Sequence, residues 1–383
     1  MPKEFRLAKR TSIHLDAIRG ISALAVLLYH LRGLFFVDYP YLASKSLVSA
    51  AIYAFTGYGH QAVIVFFVLS GYFIGSSVME SARRQQWSWT VYLVSRISRL
   101  QLVLIPALVL GAIWDRIGMR IPQAAALYYG ALYKFNVPSV ALRSTIPVFF
   151  GNFFYLQSIV SPVFGSNGPL WSLSYEFWYY ILFPTLVLAA AGWVGTRIRV
   201  LCAAVALLLL WFVGAQISFY FLIWLAGALV GRLLRATKFQ LSFPRLTVFL
   251  AGLVFVGSLV WSRMHRLSLD LLTDYIVALC FVLWLYTLLL DSREDVSPVY
   301  ENVAKRLAGF SYTLYLTHFP ALLLLRGWLN PHGSWQPDTE HLIYALGIGL
   351  LIILYAYGVA ELTEAHTAAV RRRLLLDMPW THN

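Results

Sequence analysis

The chain has 383 residues, of which 60% are hydrophobic and 12% charged, and its formal net charge is +13. A mean hydropathy of +0.69 excludes an ordinary soluble globular protein, in which about 25% of residues are charged. The basic excess does not point to nucleic acid, because the Lys and Arg residues sit in short stretches between apolar runs.

Apolar runs of spanning length recur along the whole chain, which predicts an all-α, polytopic integral membrane protein. About ten spans are expected, near 15–36, 58–80, 99–118, 169–192, 198–214, 216–235, 246–262, 270–290, 303–327 and 341–368. They read as one membrane domain over 1–383, with a bundle at about 15–368. The stretch 119–168 is expected to be a long outer loop, re-entrant around Ile146–Gln157. With both ends on the cytoplasmic side, about twenty Lys and Arg fall inside and about eight outside, and that asymmetry orients the chain. The inner set includes Lys3, Arg6 and Lys238, and the outer set Lys134 and Arg266. The abundant Trp and Tyr suit interfacial belts. No cleavable signal peptide is expected, since the first apolar run carries internal charges. Cys202 and Cys280 lie inside apolar segments and read as small hydrophobes, with no metal-ligand spacing nearby.

Span one carries Asp16, Arg19 and His30. Asp16 and Arg19 are spaced for an ion pair. Arg19 and His30 are eleven residues apart, so they share a helix face about 16 Å apart at 1.5 Å per residue. Arg19 near a boundary is also what a snorkelling interfacial residue looks like, whereas His30 lies deeper and needs a polar partner. Arg32 points to another side and reads as an outer-interface residue. In span two, Ser70-Gly71 falls mid-membrane, where small residues chiefly permit close helix packing. Arg96 and Arg99 follow in Arg96-Ile97-Ser98-Arg99-Leu100; charge alone reads as positive-inside bias, and a phosphate site is the sharper alternative.

Span four opens Asn167-Gly168-Pro169-Leu170-Trp171-Ser172-Leu173-Ser174-Tyr175-Glu176, with Ser172, Glu176 and Tyr180 on one face. An intramembrane carboxylate such as Glu176 is a functional candidate by default. Span nine places Ser311, Tyr315 and His318 on one face before Pro320. A structural histidine ahead of a kink and a functional one are equally good readings. For the partner of His30, Glu176 is the first candidate and His318 the second. Glu361 or Glu364, at the end of span ten, could pair with inner Arg residues.

Taken together these motifs resemble the family-3 membrane acyltransferases, which O-acylate carbohydrates such as O-antigen, peptidoglycan, Nod factors and exopolysaccharides. Leu15-Asp16-x-x-Arg19-Gly20 with His30 is similar to the family's Arg-x10-His signature, and Phe66-Phe67-Val68-Leu69-Ser70-Gly71 to its second motif. Arg96-x-x-Arg99 with Pro106 resembles the basic segment that follows. Trp171-Ser172-Leu173-x-x-Glu176 and Ser311-Tyr312-x-x-Tyr315-Leu316-x-His318 complete the ordered set. The resemblance implies an acyl-CoA donor, usually acetyl-CoA, bound from the cytoplasm, and a carbohydrate or lipid-linked glycan acceptor at the outer side of a bacterial inner membrane. It implies that Arg19, Arg96 and Arg99 hold donor phosphates, with Asp16 and Ser70 in the donor-binding set, and that no metal is used. His30 would be the catalytic base or the acyl carrier. Glu176 would polarise it, orient it or position the acceptor, and His318 would complete the catalytic group. Two departures stand out: the hydrolase-like extra domain of longer members is not expected here, and Glu364-Ala365-His366 lacks the Pro of a terminal Glu-x-Pro, so Glu364 receives no role. The reading from another class is a secondary transporter or flippase using Arg19, His30 and Glu176 as a relay.

Overall fold

The structure, a computed structural model, describes residues 9–130, 139–236, 242–264, 270–291, 293, 295–331 and 333–376. Lys3, Arg6, Lys134, Lys238 and Arg266 lie outside the described residues. The described chain is helical throughout: α1 (Lys9–Phe35), α2 (Leu47–Phe55), α3 (Gly59–Arg83), α4 (Trp89–Gly118), α5 (Ala125–Tyr129), α6 (Val140–Arg143), α7 (Ile146–Phe153) and α8 (Trp171–Ala190) come first. They are followed by α9 (Thr196–Ala236), α10 (Pro244–Met264), α11 (Asp270–Leu290), α12 (Pro298–Gly309), α13 (Ser311–Leu329), α14 (Thr339–Leu362) and α15 (Thr367–Leu376).

Among the described residues, 8 helical segments are long and apolar enough to cross a membrane, and 9 if the bent pair α12–α13 counts as one span. The chain is a multi-pass membrane protein. α9 requires a further division. Its 41 residues would extend about 60 Å at 1.5 Å per residue, twice the ~30 Å hydrocarbon core. It breaks at Gly214, whose φ of 81° is left-handed. Ser218 Oγ donates to Gly214 O at 2.8 Å and to Leu210 O at 3.2 Å, satisfying carbonyls beside the break. The legs 196–213 and 215–236 correspond to the two spans expected there. Span nine, expected as one helix over 303–327, is instead two, bent by 54° around Phe310. The break is at Phe310, whose φ of −121° and ψ of 6° leave the helical conformation. Arg32, expected at the outer interface, is buried, with its guanidinium 4.9 Å from the Tyr53 ring centroid.

The contacts divide the chain into two compact units. The first comprises residues 1–22, 60–87 and 175–307. Its core is aromatic, with Trp224, Tyr179 and Phe281 fully buried. α3 meets the second leg of α9 through small residues. A Cβ on Gly71 would lie 1.9 Å from the Trp224 carbonyl oxygen, and one on Gly227 would lie 2.0 Å from that of Val68. Gly71/Gly75 and Gly227/Gly231 are thus a small-xxx-small pair facing each other, which lets two backbones touch where lipid gives no hydrophobic drive. One end of this unit is tied by ion pairs: Lys9 to Glu301 at 2.7 Å, Arg293 to Asp291 at 2.6 Å, and Arg235 to Glu80 at 3.0 Å.

The second unit comprises 23–59, 88–174 and 308–383. α13 packs between α4 and α14 at its centre. The segment 119–168, expected as an outer, partly re-entrant loop, folds as short helices around buried polar side chains. Asn152 donates to the carbonyls of Val148 and Pro162, both at 2.9 Å, and accepts from Phe164 N at 3.1 Å. Gln157 donates to Leu170 O at 3.0 Å, and Asp115 accepts from Ser166 N at 2.8 Å. These bonds satisfy a loop whose backbone would otherwise be buried unpaired. Gly165 is needed here: its φ is +57°, and a Cβ would sit 2.2 Å from Asp115 Oδ2.

Candidate active site

The second unit brings together two of the expected catalytic residues. His30 comes from the later half of α1 and His318 from α13. His318 is fully buried, and its Nε2 lies 2.9 Å from His30 Nδ1. His318 Nδ1 faces the Leu314 carbonyl, one turn back on its own helix, at 2.9 Å. A carbonyl only accepts, so that bond places the proton of a neutral His318 on Nδ1 and leaves Nε2 as an acceptor. His30 Nδ1 faces that acceptor, and the His30 ring also hydrogen-bonds the Val26 carbonyl, one turn back on α1. Phe319 and Tyr29 stand edge-on to the His30 ring, with centroids 5.0 and 5.2 Å away. Of the two candidate partners for His30, the contact seen is with His318, the second choice.

Three groups hold the His318 turn in place. Pro320 cannot donate to the carbonyl four residues back, so Leu316 O loses its helical partner. Asn167, itself buried, supplies the missing donor at 2.7 Å. Ser172 Oγ and Tyr315 OH share a hydrogen bond of 2.7 Å, and Tyr315 also donates to Pro169 O at 3.0 Å. At the start of α13, Glu364 accepts from Thr313 N at 3.0 Å and from Thr313 Oγ1 at 2.8 Å. That carboxylate caps the helix N-terminus and complements its dipole. Glu364, considered as a partner for inner Arg residues, thus acts as a cap for the helix that carries His318.

Arg96 and Arg99 belong to the same unit, three residues apart on α4. The Arg96 guanidinium lies 5.6 Å from the Tyr92 ring centroid, and its Nε is buried without a hydrogen-bond partner. Arg99 is exposed.

Residues 13–360 match the family model of acyltransferase family 3, described as an acyltransferase domain. The chain belongs to acyltransferase family 3. No curated protein and no solved structure matches it. It is a multi-pass membrane acyltransferase, and its family match spans both units.

The remaining expected residues of this acyltransferase lie in the first unit. Asp16 and Arg19 form an ion pair at 3.6 Å. Glu176 Oε1 accepts from Ser70 Oγ at 3.2 Å and from the Tyr180 hydroxyl, while Trp224 Nε1 donates to Ser70 Oγ at 3.2 Å. The intramembrane carboxylate is thereby met by hydroxyl donors. Among the described residues, no group of three or more His, Cys, Asp and Glu side chains is arranged to hold a metal.

Sequence reasoning passed over two buried polar residues of the second unit. Asn167 was visible only as the start of the Asn167-Gly168-Pro169 turn; the signal was Pro320, which announces an orphan carbonyl. Asp115 sits in a span as a carboxylate and by that criterion alone qualified for attention.

Proposed function

We propose that this acyltransferase moves an acyl group, in the simplest case acetyl, from acyl-CoA to a hydroxyl of a carbohydrate, either a surface polysaccharide or a lipid-linked glycan. The observation that carries the reading is the 2.9 Å contact of His30 with the buried His318. Held by His318, the His30 imidazole takes the proton of an acceptor hydroxyl as the hydroxyl oxygen attacks the thioester carbonyl. The tetrahedral adduct collapses, the C–S bond breaks, and the departing thiolate recovers the proton from His30 as free thiol. His318 orients the ring and accepts a stronger hydrogen bond once His30 becomes cationic, so it is a positioning residue.

Donor binding is assigned to arginines. The buried, unsatisfied Nε of Arg96 suits an anion, and Arg99 lies one helical turn away. Arg19 precedes His30 by eleven residues in the sequence, about 16 Å in a helix, a spacing that suits a pantetheine arm. Asp16 sets the side-chain position of Arg19. Glu176, with Ser70 and Tyr180, is proposed to position the acceptor. The skew of Lys and Arg supports both termini on the cytoplasmic side of a bacterial inner membrane, with the donor arriving from there and the acceptor from outside.

The test is release of CoA thiol by the purified protein given acetyl-CoA and an acceptor glycan. The expected result is acceptor-dependent release that His30→Ala abolishes at unchanged protein level. Release unaffected by that substitution, or none with any acyl-CoA, overturns the reading; the second outcome is what a transporter gives.

A further inference from the structure

The first unit holds a cavity of about 710 Å³ between α1, α10 and α11, within the usual ~300–1,000 Å³ of ligand sites. It is graded from end to end. Arg10, Arg245 and Arg293 line one end, and Ile21, Val256 and Trp284 the other. From Arg10 to Ile21, and again from Arg245 to Val256, is eleven residues, or about 16 Å of helix. That is about half the ~30 Å hydrocarbon core, the depth of one leaflet.

The cavity lies apart from the proposed donor track. Its lining residues on α1, from Arg10 through His14 to Ile21, form one stripe. Arg19 follows Arg10 by nine residues, two and a half turns, and faces the opposite way. The walls open sideways: Phe249 is 62% exposed and Leu253 51%, on a helix that runs through the membrane. An occupant therefore enters from the bilayer rather than from water.

The charge at the mouth sets the headgroup. Asp291 offsets Arg293, at 2.6 Å. Arg10 donates to His14 Nε2 at 3.2 Å and to the backbone carbonyl of the exposed Asp295 at 3.3 Å, both neutral acceptors; Asp291 also acts on it electrostatically, so one carboxylate is shared by two guanidinium groups and Arg10, Arg245 and Arg293 keep a net positive charge. Arg245 sits in the first turn of α10, where the helix dipole disfavours a cation and an anion is favoured. An apolar trough one leaflet deep, ending in Arg10 and Arg245, fits an amphiphile with an anionic phosphate head.

We propose that this cavity is a binding site for an anionic glycerophospholipid of the surrounding bilayer, its acyl chain along α1 and α10 and its phosphate between Arg10 and Arg245. The proposal is independent of the acyl-transfer reading. The test is native mass spectrometry of the full-length protein delipidated in detergent and mixed with phosphatidylglycerol or phosphatidylcholine. Phosphatidylglycerol is expected to be retained at least tenfold more than phosphatidylcholine. Arg10→Gln/Arg245→Gln should bring it down to the phosphatidylcholine level, and Leu253→Trp, which fills the trough, should lower both. Equal retention of the two lipids by the unaltered protein overturns the proposal whether or not the variants fold. So does retention of phosphatidylglycerol unchanged by the double substitution in protein that elutes as a single species. Displacement of phosphatidylglycerol by a polyprenyl phosphate or palmitoyl-CoA at lower concentration assigns the cavity to that ligand and likewise overturns it.

Discussion

Asn167 donates its side-chain amide to the Leu316 carbonyl at 2.7 Å, replacing the helical bond that Pro320 cannot make. Both residues are buried. Asn167→Ala should therefore cost about 1–3 kcal/mol, the penalty of an unsatisfied buried carbonyl. Pro320→Ala restores a backbone N–H to that carbonyl, so the double variant should lose less than the two single losses combined. Thermal unfolding of the detergent-solubilised protein in a double-mutant cycle measures the coupling. Strict additivity would show that the two residues act independently.

The His30–His318 contact makes a prediction about rate rather than stability. His318→Leu removes the acceptor for His30 Nδ1–H, releases the tautomer, and should lower kcat by about 10²–10⁴-fold with little change in KM. In His318→Gln the side-chain Oε1 can accept the same bond, and part of the rate should return. Equal rates in the two variants would mean that His318 only fills space. The assay is initial-rate CoA release.

Gly71 is fixed by contact. A Cβ there would lie 1.9 Å from a backbone oxygen of the second leg of α9, which has no flexible end to move away. Gly71→Ala should destabilise by about 1–3 kcal/mol through overpacking. Gly257, on α10, has nothing within 4 Å of a Cβ and provides the control. Gly257→Ala should be neutral or stabilising by up to ~1 kcal/mol, since Ala is the better helix former. Comparison of the two melting temperatures is sufficient.

Asp291 predicts an acid limit. Hydrogen bonds from Arg293 hold its carboxyl below the ordinary value of 3.8. A carboxylate depressed in the folded state stabilises above its unfolded pKa, and that stabilisation is lost as pH falls through the lower, folded value. Stability should be flat in this respect near neutrality and fall below about pH 4. Asp291→Asn should flatten that fall while lowering stability at pH 7. Melting curves from pH 3 to 7 would reveal either behaviour.

The spans were legible because apolar length is a local property. The two legs of α9 were placed to within a few residues from hydropathy, with Gly214 between them. His30, Glu176 and His318 stood out for the same reason, as polar side chains where lipid tolerates few. Partners were not. Asn167 and Leu316 are 149 residues apart in the chain, and Glu364 and Thr313 are 51 apart. No periodicity encodes such pairs. Span nine was read as continuous because α12 and α13 run together in hydropathy; the bend sits at one residue, Phe310, which a spanning-length window averages away. The cover of Arg32 by Tyr53 was not legible, because it depends on α2, a short helix outside every expected span.

The break at Gly214 bears on how the protein is made. The membrane-insertion machinery meets 41 residues of near-continuous apolar chain whose turn contains neither a charge nor a polar loop, so the two legs must enter the bilayer together as a hairpin. A left-handed glycine is all that tells this segment to return. In Gly214→Leu the turn is strained, one straight helix is favoured, and everything after residue 236 should emerge on the other side of the membrane. A reporter fused after α9 should change compartment, with more than a third of the chain turned over by one side chain.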